Sequence, residues 1–190
     1  MKGRGSIRIS AGRWKAKALE VPGSARPTSA RAREALFDLL GEELGGARFL
    51  DLYAGSGAVG IEAVSRGAAR AVLVDRDSSV LEKNVDRLGF APDVAVLRLA
   101  AADALRVLAS RGDRFDVIFA DPPYGDGPAV PYGLERILAP GGVIVVQLDE
   151  GGPGPEIEHL AATDERRYGR NRLAFYRRIA EAGGHSRTTR

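Results

Sequence analysis

Two short stretches hold the residues with chemistry in them. Asp121-Pro122-Pro123-Tyr124 closes the apolar run Phe115 to Ala120, and Asp51-Leu-Tyr-Ala-Gly-Ser-Gly57 closes an earlier apolar run with a Gly-rich turn. Asp121 can accept one N–H of an exocyclic amine and the carbonyl of Pro122 the other. The two prolines hold that carbonyl rigidly, and Tyr124 offers a ring on which a flat base can stack. An aromatic amine is a poor nucleophile because its lone pair is delocalised into the ring. Two acceptors on its hydrogens favour a pyramidal nitrogen whose lone pair points at an electrophile. Such a reaction needs alignment and charge stabilisation more than a strong base, and no covalent enzyme intermediate. The two stretches together point to methylation of an exocyclic amine.

The Gly-rich turn holds the donor side. Gly55-Ser56-Gly57-Ala-Val-Gly60 matches G-x-G-x-x-G between a strand and a helix, and Asp75 ends the next strand. By itself the motif also fits a dinucleotide site, with a pyrophosphate on the helix N-terminus and the acid on a ribose. Asp51 discriminates, because a carboxylate ahead of the glycines suits a ligand with cationic groups, such as the ammonium and sulfonium of S-adenosylmethionine. On that reading Gly55 and Gly57 admit the ligand close to the backbone. Asp75 then accepts from the ribose hydroxyls, and Asp103 accepts from the adenine amino group, with Ala104 beside the ring. Tyr53, Ser56 and Arg76 complete the expected cofactor set.

These residues need a scaffold that brings the ends of separate strands together. From Arg48 onward short apolar runs alternate with helical patterns, the rhythm of a parallel sheet with crossover helices. Strands are expected near Arg48–Leu52, Ala71–Asp75, Val94–Leu99, Phe115–Ala120 and Val143–Leu148. Helices are expected near Ala58–Arg66, Ser78–Leu88, Ala104–Ser110 and Gly133–Leu138. Upstream, apolar residues at Ala32, Ala35, Leu36, Leu39 and Leu40 make Ser29–Leu40 an amphipathic helix with Thr28 or Ser29 as its cap. Ile7–Ser10 and Lys17–Val21 flank Ala11-Gly-Arg-Trp14 as a small basic β-hairpin, and Arg172–Ile179 forms a closing strand.

Composition narrows the class. The 190 residues, 44% hydrophobic and 28% charged, suit one soluble domain with a small appendage. With no cysteine and only two histidines, His159 and His185, no metal centre is expected. No apolar stretch suggests a membrane span or a signal peptide, so a cytoplasmic protein with no membrane partner is expected. The net charge of +3 hides a segregation. Residues 1–33 hold nine Lys/Arg against the single acid Glu20, residues 166–190 hold eight Arg against Glu181, and the middle is acidic. Basic ends of this kind attract a polyanion such as RNA.

The assembled residues resemble the class I S-adenosylmethionine-dependent methyltransferases. The likeness is greatest to the ribosomal small-subunit methyltransferase D family, which methylates guanine N2 in 16S rRNA. It runs through Ile7-Arg-Ile, Gly12-Arg-Trp-Lys15, Arg26-Pro-Thr28, Arg31 to Phe37, the Asp51 turn, Asp121-Pro-Pro-Tyr124 and Leu173-Ala-Phe-Tyr-Arg177. The resemblance implies a doubly wound, mostly parallel, seven-stranded Rossmann-like α/β sheet with an antiparallel C-terminal strand and a small N-terminal hairpin extension. It further implies that Arg26 and Thr28 close over the cofactor, that Arg13, Lys15 and Lys17 grip rRNA, and that the enzyme acts on an assembled or partly assembled small subunit; a monomer is expected. The expected organisation is a hairpin extension over 1–25, a catalytic domain over 26–180 and a disordered tail over 181–190. Ala16 departs from the family, whose members commonly carry Gly between the two basic residues. A DNA adenine-N6 methyltransferase would use the same Asp-Pro-Pro-Tyr but usually needs a separate recognition region. An NAD-dependent oxidoreductase would leave Asp51 and Asp121 to Tyr124 idle.

Overall fold

The computed structural model describes residues 5–23, 29–89, 92–123, 130–149, 153–169 and 171–179. Among them the chain runs through β1 (Ser6–Arg8), β2 (Ala18–Glu20), α1 (Ala30–Leu40), β3 (Arg48–Leu52), α2 (Ala58–Ser65), β4 (Arg70–Asp75), α3 (Ser79–Leu88) and β5 (Val94–Arg98). It continues through α4 (Ala101–Ser110), β6 (Phe115–Ala120), β7 (Leu138–Asp149), β8 (Leu160–Tyr168) and β9 (Asn171–Arg178). β1 and β2 form an antiparallel pair, and the other seven strands form one sheet in the order β5-β4-β3-β6-β7-β9-β8. β5, β4, β3, β6 and β7 pair in parallel, and β9 runs antiparallel to both β7 and β8. The architecture is the seven-stranded, doubly wound sheet with an N-terminal hairpin that the family resemblance implies.

The register decides where side chains go. Asp51 pairs with Leu73 and Phe119, and Phe119 with Val145; Leu52 pairs with Val74 and Ala120, and Ala120 with Val146. Successive strand residues face opposite sides, so these two rungs feed two separate apolar clusters. Phe49, Leu73, Phe119 and Val145 pack under α1, α2 and α3 with Leu36, Phe37, Ile61, Val64 and Leu81. Leu52, Val74, Ala120 and Val146 pack under α4 with Leu105 and Leu108, and with Leu134 and Ile137. One residue further along, Tyr53, Asp75, Asp121 and Gln147 form the rung at the carboxyl edge. The strand order reverses between β3 and β6, which opens the crevice at that edge.

The hairpin is bolted to the first of these faces. Glu62 of α2 is fully buried and accepts from Arg33 Nε of α1 at 2.7 Å, from Arg66 Nε at 2.9 Å, and from both the backbone N–H and the hydroxyl of Ser10. Arg33 Nη2 also donates to the Arg8 carbonyl at 2.8 Å. Burial alone would raise the Glu62 carboxyl. The hydrogen bonds from Ser10 and Arg33, together with the Arg33 charge, outweigh it and hold the group below its usual value. At the end of α2 the Ser65 carbonyl accepts from Arg13 N at 2.9 Å and Ser65 Oγ donates to the Ala11 carbonyl at 2.7 Å.

Several local expectations are corrected. α4 starts at Ala101 rather than Ala104, because its cap position is Ala100 and carries no side-chain bond that a sequence could signal. The helix expected over Gly133–Leu138 is one 3-10 turn, Leu134–Ile137, after which the chain passes directly into β7. β7 begins at Leu138 rather than Val143; a register irregularity opposite Phe115 and Val117, with Gly141 at φ +75°, absorbs Pro140-Gly-Gly142. β8 was not expected, since as a sheet edge it is mostly exposed and polar, which erases the apolar pattern of a buried strand. Among the described residues no helix is long and apolar enough to cross a membrane. The tail expected over 181–190 lies outside the described residues.

Two hairpin residues make opposite demands on the backbone. Gly12 has φ +81°, and a Cβ there would stand 1.8 Å from the Ser65 carbonyl oxygen. Ala16 has φ +70°, a left-handed conformation that a side chain disfavours, while its N–H donates to the Ile9 carbonyl at 2.8 Å. Gly12→Ala should therefore destabilise the protein by about 1–3 kcal/mol through overpacking. Ala16→Gly should stabilise it by up to about 1 kcal/mol, as relieved strain outweighs the added freedom of the unfolded chain. Urea denaturation midpoints of the two variants should move in opposite directions, and a shared direction would contradict this account.

Candidate active site

The turn between β3 and α2 is left-handed at three of five residues: Tyr53 (φ +66°), Gly55 (φ +55°) and Gly57 (φ +79°). The glycines serve different ends. A Cβ on Gly57 would strike Leu81 at 2.4 Å, and one on Gly60 would strike Leu73 at 2.0 Å and Asp51, so these two let α2 lie close to α3 and the sheet. A Cβ on Gly55 would meet nothing within 4 Å; only its backbone angle calls for glycine. Tyr53 holds a comparable angle without that freedom, and so stores strain at the mouth of the site.

This turn opens onto a cavity of about 710 Å³ at the carboxyl edge of the sheet. Asp51, Tyr53, Gly55 and Ser56 line it from the first turn, Asp75 and Arg76 from the end of β4, and Asp121, Pro122 and Pro123 from the end of β6. The two chemical stretches of the sequence thus face one space. Leu99, Ala100 and Ala101 form a further apolar wall leading into α4. Asp103 and Ala104 do not line the cavity. Asp103 is exposed and pairs with Arg106, and Ala104 packs into the second apolar cluster, because the earlier start of α4 turns both away from the opening. Gly57 does not line the cavity either; it faces Leu81, Ile61 and Leu73. Arg26, Thr28 and Tyr124 lie outside the described residues.

Three carboxylates crowd this space. Asp51 Oδ2 accepts from Gly60 N at 2.9 Å, in the first turn of α2, and Asp75 accepts from Gly55 N at 2.7 Å and from Asp77 N at 2.9 Å. Both acids therefore also hold the loop. Burial pushes the Asp51 carboxyl up from 3.8 to about 8; the Gly60 N–H opposes the rise, and the charges of Asp121 and Asp75 add to it. Asp121 accepts from Gln147 Nε2 at 2.8 Å. Burial also raises the Tyr53 phenol, with Arg76 opposing. A negatively charged pocket that penalises its own ionisation fits a ligand bearing ammonium and sulfonium groups, and fits a pyrophosphate poorly.

The hairpin reaches this cavity too. Val21 and Pro22, which follow β2, form part of its wall. Buried Asn84 of α3 bonds the backbone N–H and carbonyl of Glu20 and donates to the Ser56 carbonyl, each at 2.9 Å. Arg13, Lys15 and Lys17 are exposed on the hairpin; Arg13 lies 3.7 Å from the Trp14 ring centroid and pairs with Asp93 at 2.7 Å. The basic C-terminal segment is less available than its composition suggests. Arg172 is buried against Glu165, Arg177 pairs with Glu43, and Arg178 donates to the Glu135 and Leu138 carbonyls. Val21, Pro22, Asn84 and Gln147 were missed from the sequence. Only Asn84 and Gln147 left a trace, as polar residues inside otherwise apolar patterns.

Strand order and pocket together define a class I, Rossmann-like methyltransferase fold, and the donor for such a site is S-adenosylmethionine. The chain belongs to the family described as Conserved hypothetical protein 95, whose model matches residues 7–177. It is 39% identical over 127 residues to "Ribosomal RNA small subunit methyltransferase D" of Escherichia coli K12, a match that spans 66% of this chain and 64% of that relative. It is 35% identical over 182 residues to "Putative rRNA methyltransferase YlbH" of Bacillus subtilis, covering 90% of this chain and 99% of that one. Among solved structures, "Putative methyltransferase yhhF" of Escherichia coli superposes with a TM-score of 0.76 at 34% identity, over 93% of this chain and 100% of that chain.

With the Asp51 carboxyl raised to about 8 in the free protein, a cationic donor bound beside it should lower its pKa, and binding should release a proton. Affinity for S-adenosylmethionine should rise from pH 6 to about 8 and then level off, and the binding enthalpy at pH 7 should depend on the buffer's ionisation enthalpy. Asp51→Asn should remove both effects in titration calorimetry. For folding the sign is opposite: the group is ionised when unfolded above 3.8 but neutral when folded below about 8, so its contribution to stability falls as pH climbs through that window. Affinity that falls between pH 6 and 8 would contradict the assignment.

Proposed function

We propose that this protein transfers a methyl group from S-adenosylmethionine to the exocyclic N2 of a guanine in the 16S rRNA of the small ribosomal subunit. The observation that carries this reading is the single cavity shared by the Gly55 turn and Asp121-Pro122-Pro123. When bound, the donor supplies an electrophilic methyl on a sulfonium. Asp51 and Asp75 hold its cationic and ribose ends, and the apolar wall of Leu99, Ala100 and Ala101 receives the adenine. Asp121 accepts one amine hydrogen and the Pro122 carbonyl the other. Formation of the N–C bond would be matched by cleavage of the methyl–sulfur bond, whose electron pair leaves on neutral S-adenosylhomocysteine; the adjacent Asp121 carboxylate would stabilise the positive charge on nitrogen until its proton leaves to solvent. Tyr124 is the stacking ring for the base.

Names among the relatives support rRNA as the substrate. The exposed Arg13, Lys15 and Lys17 suit phosphate contacts that position the RNA, while the guanine swings out of its stack into the cavity. Arg26 and Thr28 would close over the donor. The expected working form is a cytoplasmic monomer acting on the small subunit or an assembly intermediate. The domain division follows the same reading, with an RNA-gripping extension over 1–25 and a catalytic unit over 26–180. A DNA adenine-N6 methyltransferase would share the Asp121 chemistry, and an NAD-dependent oxidoreductase would share only the glycines.

The test is transfer of labelled methyl to unmodified small-subunit particles, free rRNA and duplex DNA, followed by digestion to nucleosides. Label should accumulate as N2-methylguanine and be greatest on the particles. N6-methyladenine in its place would refute the substrate. Asp121→Ala should lower transfer at least about a thousandfold while leaving affinity for S-adenosylhomocysteine within about threefold, because the lost carboxylate serves the amine rather than the donor.

A further inference from the structure

We infer that Gln147 is a positioning residue for the transfer, an uncharged clamp that fixes the plane of the Asp121 carboxylate. The inference rests on the proposed role of Asp121 and goes one contact beyond it. Gln147 lies one residue past the last β6–β7 pair, Ala120 with Val146, and so stands beside Asp121 on the same face of the sheet. It is 3% exposed, and its Nε2 donates to Asp121 Oδ2 at 2.8 Å. A carboxylate's terminal torsion is broad and nearly two-fold, and a fixed donor from the neighbouring strand narrows the orientations at which Asp121 presents its oxygens.

Packing alone gives no reason for glutamine here. The neighbours are aliphatic: Val143, Ile144, Val145, Val146 and Leu148 on its own strand, and buried Leu173 opposite it on β9. Gln147 Oε1 is buried and has no hydrogen-bond partner among the described residues. A leucine of similar size would fill the position without a stranded carbonyl oxygen. The polar side chain is therefore a local cost whose return is the bond to Asp121. Its neutrality matters as well. An arginine or lysine at this place would cancel the negative charge that must face a cationic donor and a nitrogen turning positive, whereas an amide orients the carboxylate and leaves its charge intact.

The experiment compares Gln147→Leu, Gln147→Glu and Asp121→Ala with the parent protein. It measures single-turnover methyl transfer to unmodified small-subunit particles between pH 6 and 9, and S-adenosylhomocysteine affinity by calorimetry. Gln147→Leu should slow transfer by about 10- to 100-fold at every pH with affinity changed less than about twofold. Gln147→Glu should transfer at nearly the parent rate at low pH, where the carboxyl pair shares a proton and the protonated Glu donates to Asp121. Its rate should fall as that proton is lost, a pH signature that a packing role would not produce. A Gln147→Leu rate within twofold of the parent overturns the inference. So does a Gln147→Glu profile parallel to the parent's, or a loss in Gln147→Leu matched by equal loss of cofactor affinity. If Asp121→Ala itself transfers normally, the proposed function fails first and takes this inference with it.

Discussion

The pairing register of four parallel strands is the constraint on which the molecule depends. β4, β3, β6 and β7 are aligned so that their successive apolar rungs end together at one polar edge, where Asp75, Asp121 and Gln147 emerge. A slip of one residue in any pair would turn its functional side chain to the opposite face and an aliphatic one into the pocket. The buried rungs therefore fix the chemistry indirectly. Phe49, Leu73, Phe119 and Val145 pack under α1, α2 and α3, and that packing sets the height at which Asp75, Asp121 and Gln147 emerge.

The second organising interaction is the carboxylate of Glu62, which three elements share. Arg33 from α1, Arg66 at the C-terminal cap of α2 and Ser10 from the hairpin all donate to it in a setting with almost no solvent. Such a pair adds little when compared with an apolar replacement, but removing one partner strands a buried charge and costs roughly 3–5 kcal/mol. Its value lies in specificity of placement. A three-residue hairpin ladder could not hold an orientation alone, and here it inherits the rigidity of the helix that follows the Gly-rich turn. The exposed basic side chains of the hairpin are thus presented from a fixed platform.

Much of this arrangement could be read from residue order. The parallel strands β3, β4, β6 and β7 are legible because burial on both faces leaves nearly unbroken apolar runs, and the Asp51 turn and Asp121-Pro-Pro carry their geometry in their own glycines and prolines. β8 escaped notice because an edge strand is selected for charge, not for apolar alternation. Asp103 is expected in the site from its position after β5, whereas the residues that line the cavity there are Leu99, Ala100 and Ala101, whose contribution is plain surface and backbone. Contacts across long sequence separations were invisible for a different reason. Asn84 with Glu20 and Ser56, and Gln147 with Asp121, acquire meaning only once folding sets them side by side.

Val21 and Pro22 give the hairpin a second allegiance. Because these residues belong to the wall of the donor pocket, the arm is no portable module that could be grafted or exchanged among related sheets. A chimera carrying a foreign arm would import someone else's piece of the pocket, so diversification of the arm and of the cavity wall must proceed in step.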